Sequence, residues 1–432
     1  MNPINDLTVI ATVGGEGTRM YPLTLNFPKP LLPICNYPII KRIVEIFASQ
    51  GARKFIFASK GYLNTIAIKD VMRYGRDIAS RKEIEKLNFN YPPRYDDLGS
   101  ADAARNAMEY FDVKDYVLVV GGDQIMDVDI NEMLKFHKEK GALMTIGLKK
   151  VENISEYGIA ILDDNKKILK FVEKPKEKIN SNLANIGVYI ISPEIREIFK
   201  KAKERVKDFG KDFIPYLVEN YDVYGYIHEG YWNDVGNVDE YLNTTMDILQ
   251  GKVKNITLKS SSNKMFNPII EVNKGIYIRE STLSRIENKL NREISLKGNV
   301  LIGGDCEIFD NVIIENSCIG DGCRIRSNTI IKNSVILDFA EIGEKCYINK
   351  SIVGRFATIN EGSKIDAENI QNMRIESSTI TPVIGDNVEI FKNSIIYPSE
   401  RVAPIQDSHK ILSTGKFVAW GMDSKNFYFA LK

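Results

Sequence analysis

From Leu7 to about Lys149 the chain switches repeatedly between two hydrophobic periods. Short apolar runs at Leu7 to Val13, Lys54 to Ser59, Lys86 to Tyr91, Tyr116 to Val120 and Leu143 to Leu148 predict strands. Helical spacing lies between them, in Pro38 to Gln50 up to Gly51, in Ala101 to Phe111 with Ser100 as N-cap, and in Ile130 to Lys140. This alternation predicts a mostly parallel α/β sheet covered on both faces, which binds ligands at the C-terminal ends of its strands. A glycine-rich stretch after the first strand (Gly14, Gly15, Gly17) and the turn Gly121-Gly122-Asp123 both fall at such ends.

From about Val151 to Gln250 the pattern is more mixed. Gly158 to Leu162 and Ile168 to Val172 flank Asp163-Asp164-Asn165 and predict a hairpin. Gly187 to Ile191 predicts a further strand and Pro193 to Val206 a helix.

After about Gly251 the long helical patterns stop, and from Leu301 the chain counts in sixes. Ile302, Ile308, Ile314, Ile325, Ile331, Ile336, Ile342, Ile348, Ile384 and Ile390 recur at or near that spacing. Several open an Ile-Gly step, and a small residue often stands four places on, as at Cys306, Cys323, Cys346 and Val388. Hexapeptide periodicity predicts a parallel β-helix of about five or six coils, each about eighteen residues long, with the aliphatic residue inward. A break over Asp366–Thr381 predicts an irregular excursion, and the apolar Phe417–Trp420 and Phe427–Leu431 predict a docked cap or intersubunit contact.

Bulk properties narrow the function. At 432 residues, two or three domains are expected. The composition, 44% hydrophobic and 27% charged, is that of an ordinary globular protein. A net charge of +1 gives no reason to expect nucleic acid or an anionic membrane as partner. No apolar run predicts a membrane span or signal peptide. The five cysteines form no C-x-x-C pair, so a disulfide framework or zinc knuckle is not expected, and a cytoplasmic setting is. Cys306, Cys318, Cys323 and Cys346 read as small residues at inward corners of the β-helix.

The first loop carries the candidate chemistry. Strand, glycine loop and helix in succession aim backbone N–H groups at phosphate. A dinucleotide fingerprint would need a glycine where Met20 stands and an acid where the next strand ends in Ser59-Lys60. A P-loop would need Gly-Lys-Ser/Thr, but the Gly-Lys pairs precede Asp212, Val253 and Phe417. What remains is VGGEGTRMYPLTLNFPKPLLP from Val13 to Pro33, in which Gly-Gly-x-Gly-Thr-Arg is followed by Pro-Leu-Thr and Pro-Lys-Pro-Leu.

This stretch resembles the signature of the sugar-1-phosphate nucleotidyltransferases (nucleotide-sugar pyrophosphorylases), nearest the mannose-1-phosphate guanylyltransferase branch. Further segments match: Leu98-Gly99-Ser100-Ala101, Phe171-Val172-Glu173-Lys174-Pro175, Asn185-Ile186-Gly187-Val188-Tyr189 and Trp232-Asn233-Asp234-Val235-Gly236. The repeat region resembles the left-handed β-helix family. Together these imply a Rossmann-like, mostly parallel sheet followed by a left-handed β-helix of hexapeptide repeats. The expected divisions are a catalytic domain over 1–250, a linker over 251–300, the β-helix over 301–400 and a cap over 401–432.

The reaction so implied is attack of a sugar 1-phosphate on the α-phosphorus of a nucleoside triphosphate, with GDP-mannose synthesis the first expectation. Glucose 1-phosphate with dTTP, UTP or ATP is the alternative. It joins two polyanions, and two unit charges 4 Å apart repel by about 4 kcal/mol at an effective dielectric near 20. Cations and a metal must therefore offset the charge. The resemblance gives Arg19 to the departing pyrophosphate and Lys29 to the reacting phosphates. It makes Asp123 and Asp234 the Mg2+ ligands, although each alone reads more simply as a turn or cap. Gly14, Gly15, Gly17, Thr18 and Gly99 would face the nucleotide. Gly158, Glu173 and Asn185 would face the sugar, and Lys174 its phosphate.

Two other readings have less support. A non-catalytic regulatory subunit would have lost these charged residues. An acetyltransferase β-helix needs a histidine base, and none stands between Leu301 and Pro398. His137 and His228 read as structural. The β-helix is instead expected to make a homo-oligomer, and Asp102 and the unmatched segment YPPRYDD (Tyr91 to Asp97) leave the base open.

Overall fold

The computed structural model describes residues 4–15, 17–73, 75–82, 84–93, 96–202, 205–259, 267–368, 379–404, 418–420 and 428–431. The chain forms two compact units: Met1–Gly15 with Ile39–Asp234, and Glu16–Pro38 with Val235–Lys432.

The first unit is built on a nine-stranded sheet. Leu7–Thr12 lies at its centre, parallel to Lys54–Ala58 on one side and to Tyr116–Gly121 on the other. These strands are Val-, Ile- and Phe-rich and buried, as strands covered on both faces must be. Asn88–Asn90 extends the parallel edge, shorter than the run Lys86 to Tyr91 suggests. Leu183–Ile191 then enters antiparallel beside Tyr116–Gly121 and carries Met144–Lys150 and the hairpin of Gly158–Leu162 with Ile168–Glu173. In that hairpin Asp163 Oδ1 accepts a hydrogen bond from the Lys167 amide, the side-chain-to-backbone bond expected of a turn aspartate.

Helices Ile39–Ser49, Ser100–Tyr110 and Ile130–Glu139 match the helical stretches closely. Asp129 caps the last by accepting from the Asn131 and Glu132 amides. Ser100, expected to be an N-cap, is instead the first helical residue, and Gly99 takes the cap position. The Ser100 hydroxyl is engaged elsewhere, donating to Asp208 Oδ2 and accepting from the Phe209 amide. The helix expected over Pro193 to Val206 is confined to Ile195–Lys201 among the described residues.

The second unit contains three parallel β-sheets whose strands succeed one another in rotation, the architecture of a β-helix. Leu301 pairs with Cys318, Cys318 with Val335 and Val335 with Ile352. The coil is therefore 17 residues long, not eighteen, and a ladder of Ser317, Ser334 and Ser351 repeats at that interval, the first two hydroxyls each accepting the next serine's amide. The missing residue falls on one side of the triangle. Inward isoleucines step by six from Ile302 to Ile308 to Ile314, then by five to Ile319. After Ile352 the interval is 31 residues, one 17-residue coil plus 14. Most of that excursion, 369–378, lies outside the described residues. At the far end Tyr428–Leu431 adds antiparallel to Arg401–Ala403 and pairs with Val418–Trp420. Phe417 and Phe427, also assigned to the cap, lie outside the described residues.

All five cysteines are free thiols and buried. Cys306, Cys323 and Cys346 belong to the β-helix core as expected, but Cys318 does not. Its neighbour Ile319 takes the inward place, so strand alternation turns Cys318 outward, where its thiol donates to Asn36 Oδ1 at 3.2 Å.

Candidate active site

In the first unit Gly14 and Gly15 follow the central strand. A Cβ on Gly14 would stand 2.9 Å from the Lys60 Cβ, whereas Gly15 has open space. Lys60 is thus a cation beside the glycine loop that no motif marked. Its only sequence signal is its place at the end of a strand. Gly122 is required by close approach: its amide donates to the Thr12 carbonyl at 2.8 Å, and a Cβ would stand 2.2 Å from Val13 Cγ1.

Asp123 follows that turn, and a two-stranded ribbon brings Asp234 to it. Ile125–Met126 pairs antiparallel with Trp232–Asn233, with Trp232 opposite Met126 and Asn233 opposite Ile125. Asp234 directly follows Asn233, and Asp123 stands two residues before Ile125, so both carboxylates occur at the same end of the ribbon. The ribbon is tied by Asp127, whose Oδ1 accepts from the Tyr231 amide at 2.6 Å and lies 3.2 Å from His228 Nε2. Among the described residues no cluster of three or more His, Cys, Asp or Glu side chains forms a metal cage. Two carboxylates are what magnesium takes from a protein when phosphate oxygens and water complete its octahedron, so the donor set fits that ion.

Gly158 and Glu173 face each other across the hairpin. A Cβ on Gly158 would approach Glu173 Oε2 to 2.7 Å, and one on Gly210 to 2.6 Å. The carboxylate is thus held between two glycines, of which Gly210 carried no motif. Burial raises the Glu173 carboxyl pKa, Lys174 opposes that shift, and Asp208 adds to it. Lys174 is exposed and takes a left-handed φ of 45°, uncommon for a side chain of this kind. The Tyr157 ring meets Trp232 edge-on at 5.4 Å between centroids, linking this hairpin to the carboxylate ribbon.

The Asn185–Tyr189 motif is a β-bulge. Pairing with Met144–Lys150 shifts register between Asn185 and Tyr189. Gly187 there has φ 69°, Asn185 Oδ1 accepts from its amide at 2.9 Å, and Asn185 Nδ2 donates to the Tyr189 hydroxyl at 2.9 Å. Both ends of the Asn185 amide therefore hold the bulge. A Cβ on Gly187 would stand 2.4 Å from Gln124 Nε2. Gln124 Oε1 is buried without a hydrogen-bond partner among the described residues, an acceptor that no motif marked.

Gly99, with φ 150°, lies against the Lys207 carbonyl, which a Cβ would meet at 2.8 Å. Asp102, three residues beyond it, accepts from the Leu98 amide and pairs with Arg105, so its carboxylate is engaged within the protein. His137 is buried between Thr145 and Ser192 hydroxyls at 2.8 Å each, as a structural histidine.

The second unit holds the remainder of the signature. Gly17 has φ 66°, and a Cβ there would stand 3.1 Å from the Lys29 Cβ, so Gly17 and Lys29 are brought together. Thr24 fastens the same turn by donating to the Gly17 carbonyl at 2.8 Å. Thr18 and Arg19 are exposed in a single tight turn, Thr18–Met20, while Lys29 is buried. The loop thus leads into this short turn, and the helix Ile39–Ser49 begins only after further turns and a small hairpin.

The nucleotidyl transferase family matches residues 8–251, and the EIF2B subunit epsilon LbH domain matches residues 279–380. The chain is 32% identical over 309 residues to a UTP–glucose-1-phosphate uridylyltransferase of Synechocystis sp., covering 69% of this chain and 74% of that protein. It is 32% identical to a glucose-1-phosphate adenylyltransferase of Clostridioides difficile, covering 72% and 86%. It is also 32% identical to the mannose-1-phosphate guanylyltransferase catalytic subunit beta of Danio rerio, covering 55% and 63%. The chain belongs to the nucleotidyl transferase family, with the fold of a sugar-1-phosphate nucleotidyltransferase followed by a left-handed β-helix. No helix among the described residues is long and apolar enough to cross a membrane.

Proposed function

We propose that the chain transfers GMP from GTP to mannose 1-phosphate, giving GDP-mannose and pyrophosphate. A phosphate oxygen of the sugar 1-phosphate attacks the α-phosphorus, the bond from that phosphorus to the bridging oxygen breaks, and pyrophosphate leaves. The observation that carries the reading is the carboxylate ribbon, which sets Asp123 and Asp234 at one end of two paired strands. Mg2+ held there would supply charge neutralisation at the phosphates. Arg19 and Lys29 would bind phosphate oxygens and orient the reactants in line. Glu173, held between Gly158 and Gly210, would accept hydrogen bonds from sugar hydroxyls. Lys174 would pair with the sugar phosphate, and Gly14, Gly15, Gly17, Thr18 and Gly99 would admit the nucleotide. Little proton chemistry is called for, because the phosphate dianion is already a nucleophile.

Mannose and guanine are chosen on the signature and on the guanylyltransferase relative. A glucose 1-phosphate enzyme using UTP or ATP is the second reading, favoured by the uridylyl- and adenylyltransferase relatives, whose matches cover more of the chain. Asp102 does not support adenine, since its carboxylate is engaged by Leu98 and Arg105. We further assign the chain to the cytoplasm as a homo-oligomer assembled through the β-helix.

The test is pyrophosphate release with magnesium over a grid of GTP, UTP, dTTP, ATP and CTP against the 1-phosphates of mannose, glucose, galactose and N-acetylglucosamine. One dominant signal with GTP and mannose 1-phosphate is expected. A dominant signal elsewhere replaces the substrates, and a blank grid with folded protein favours a regulatory subunit. Sedimentation as a monomer would contradict the oligomer.

A further inference from the structure

Two backbone bonds close the turn that carries Arg19. Its bonds are Met20 N–H to the Gly17 carbonyl at 2.9 Å and Tyr21 N–H to the Thr18 carbonyl at 3.1 Å. The Arg19 and Tyr21 carbonyls both accept from one guanidinium nitrogen. That nitrogen is Arg401 Nη1, at 3.0 and 2.6 Å. The other fork nitrogen, Nη2, donates to Thr379 Oγ1 at 2.9 Å. Arg401 opens the strand Arg401–Ala403, which pairs parallel with Val383–Ile384 in the β-helix sheet. A rigid planar fork with donors to three fixed oxygens sets position far more tightly than a flexible ammonium would.

Other coils grip the same segment. The Arg355 guanidinium lies 3.7 Å from the centroid of the Phe27 ring and is itself oriented by Asp386 Oδ2 at 3.0 Å from its Nε. Gly385 gives Pro22 room, since a Cβ there would stand 3.0 Å from the proline ring. Asn36 Nδ2 donates to the Ile319 carbonyl at 2.6 Å, and Cys318 donates to Asn36 Oδ1. The residues held, from Arg19 to Asn36, bracket Lys29, so the segment carrying both signature cations is packed as part of the β-helix unit.

We propose that Arg401 is a positioning residue for catalysis: through the Arg19 and Tyr21 carbonyls it sets where the Arg19 side chain meets the departing pyrophosphate. The proposal rests on the role given to Arg19 in the proposed function. It gives the β-helix a part in catalysis beyond assembly. A merely structural Arg401 would leave its effect independent of Arg19.

The experiment is a cycle on the full chain comparing Arg401→Gln, Arg19→Gln and the double variant, with the most active pair of the grid. Misplacement by about 1 Å costs on the order of 100-fold, so R401Q is expected to lower kcat by about 10- to 100-fold. The double variant is expected to lose no more than R19Q alone, and Arg401→Lys to recover part of the loss. Losses that multiply, or an R401Q enzyme with unchanged kcat, overturn the proposal. Should R401Q fail to fold, Thr379→Val releases one arm of the fork and is read in the same cycle. Hydrogen exchange at the Met20 and Tyr21 amides follows the turn without turnover. Faster exchange in R401Q supports the proposal, and unchanged exchange overturns it. A wild-type chain inert across the grid counts against the proposed function, while the exchange measurement still decides the positioning.

Discussion

Asp127 Oδ1 accepts the Tyr231 amide at 2.6 Å, bonding the strand after Asp123 to the strand before Asp234. The Asp127 side chain is 3% exposed, so this charge-assisted bond is made away from water. Asp127→Asn keeps the shape and removes the charge. It is expected to cost about 1–3 kcal/mol of stability and to raise the magnesium concentration that gives half-maximal rate. A magnesium titration of pyrophosphate release checks it. An unchanged half-point would show that the ribbon does not govern metal binding.

Glu173 gives a second prediction. Burial raises its carboxyl pKa, so the folded state holds that proton more tightly than the unfolded chain does. Between the unfolded and folded pKa values stability therefore falls as pH rises, and the penalty is fully present above the folded pKa. Glu173→Gln removes the penalty. At pH 7.5 it is expected to melt at or above the wild-type temperature while raising KM for the sugar 1-phosphate at least tenfold. Paired melting curves and steady-state kinetics check both parts, and a lowered Tm with unchanged KM would contradict them.

His137 sets a pH dependence of opposite sign. Burial first, and Lys138 second, lower its pKa from 6.5 to about 4. The unfolded chain thus binds the proton in a range where the folded chain does not. Its stability contribution is intact above the unfolded value and is lost as pH falls from about 6.5 toward about 4, on the order of 3 kcal/mol in full. Urea melts at pH 7.5 and 5.0 should show about 2 kcal/mol of that loss in the wild type and a smaller one in His137→Asn. Equal losses would assign the effect to other groups.

The parts of this architecture that were legible in the sequence are those written locally. Alternating strand and helix periods in Leu7–Thr12, Ile39–Ser49 and Tyr116–Gly121 report burial on two faces, and inward isoleucines report the coils. The 17-residue coil is written there too, in the pairs Ile302–Ile319, Ile308–Ile325 and Ile314–Ile331, but counting by hexapeptides yields eighteen because one step in three is five residues. Ser100 looked like a cap because the partner that claims its hydroxyl, Asp208, is 108 residues away. Asn185 matched a motif, but the bulge it locks depends on pairing with a strand distant in sequence. Lys60, Gln124 and Gly210 were missed for the same reason: each acquires meaning only from what the fold lays against it. The grip of Arg401 on the signature turn spans 382 residues and leaves no local trace.

The central claim is that nucleotidyl transfer depends on the two carboxylates of the ribbon, and one measurement tests it most directly. Pyrophosphate release is followed in a single turnover while magnesium is titrated, for the wild type, Asp123→Asn and Asp234→Asn. Loss of one oxyanion-stabilising interaction in a water-poor site costs about 100- to 1000-fold. Each variant is therefore expected to lose at least about 100-fold at saturating magnesium, with folding and Tm little changed. A wild-type rate in both variants would contradict the account, because the reacting phosphates would then be held without the carboxylates on which it rests.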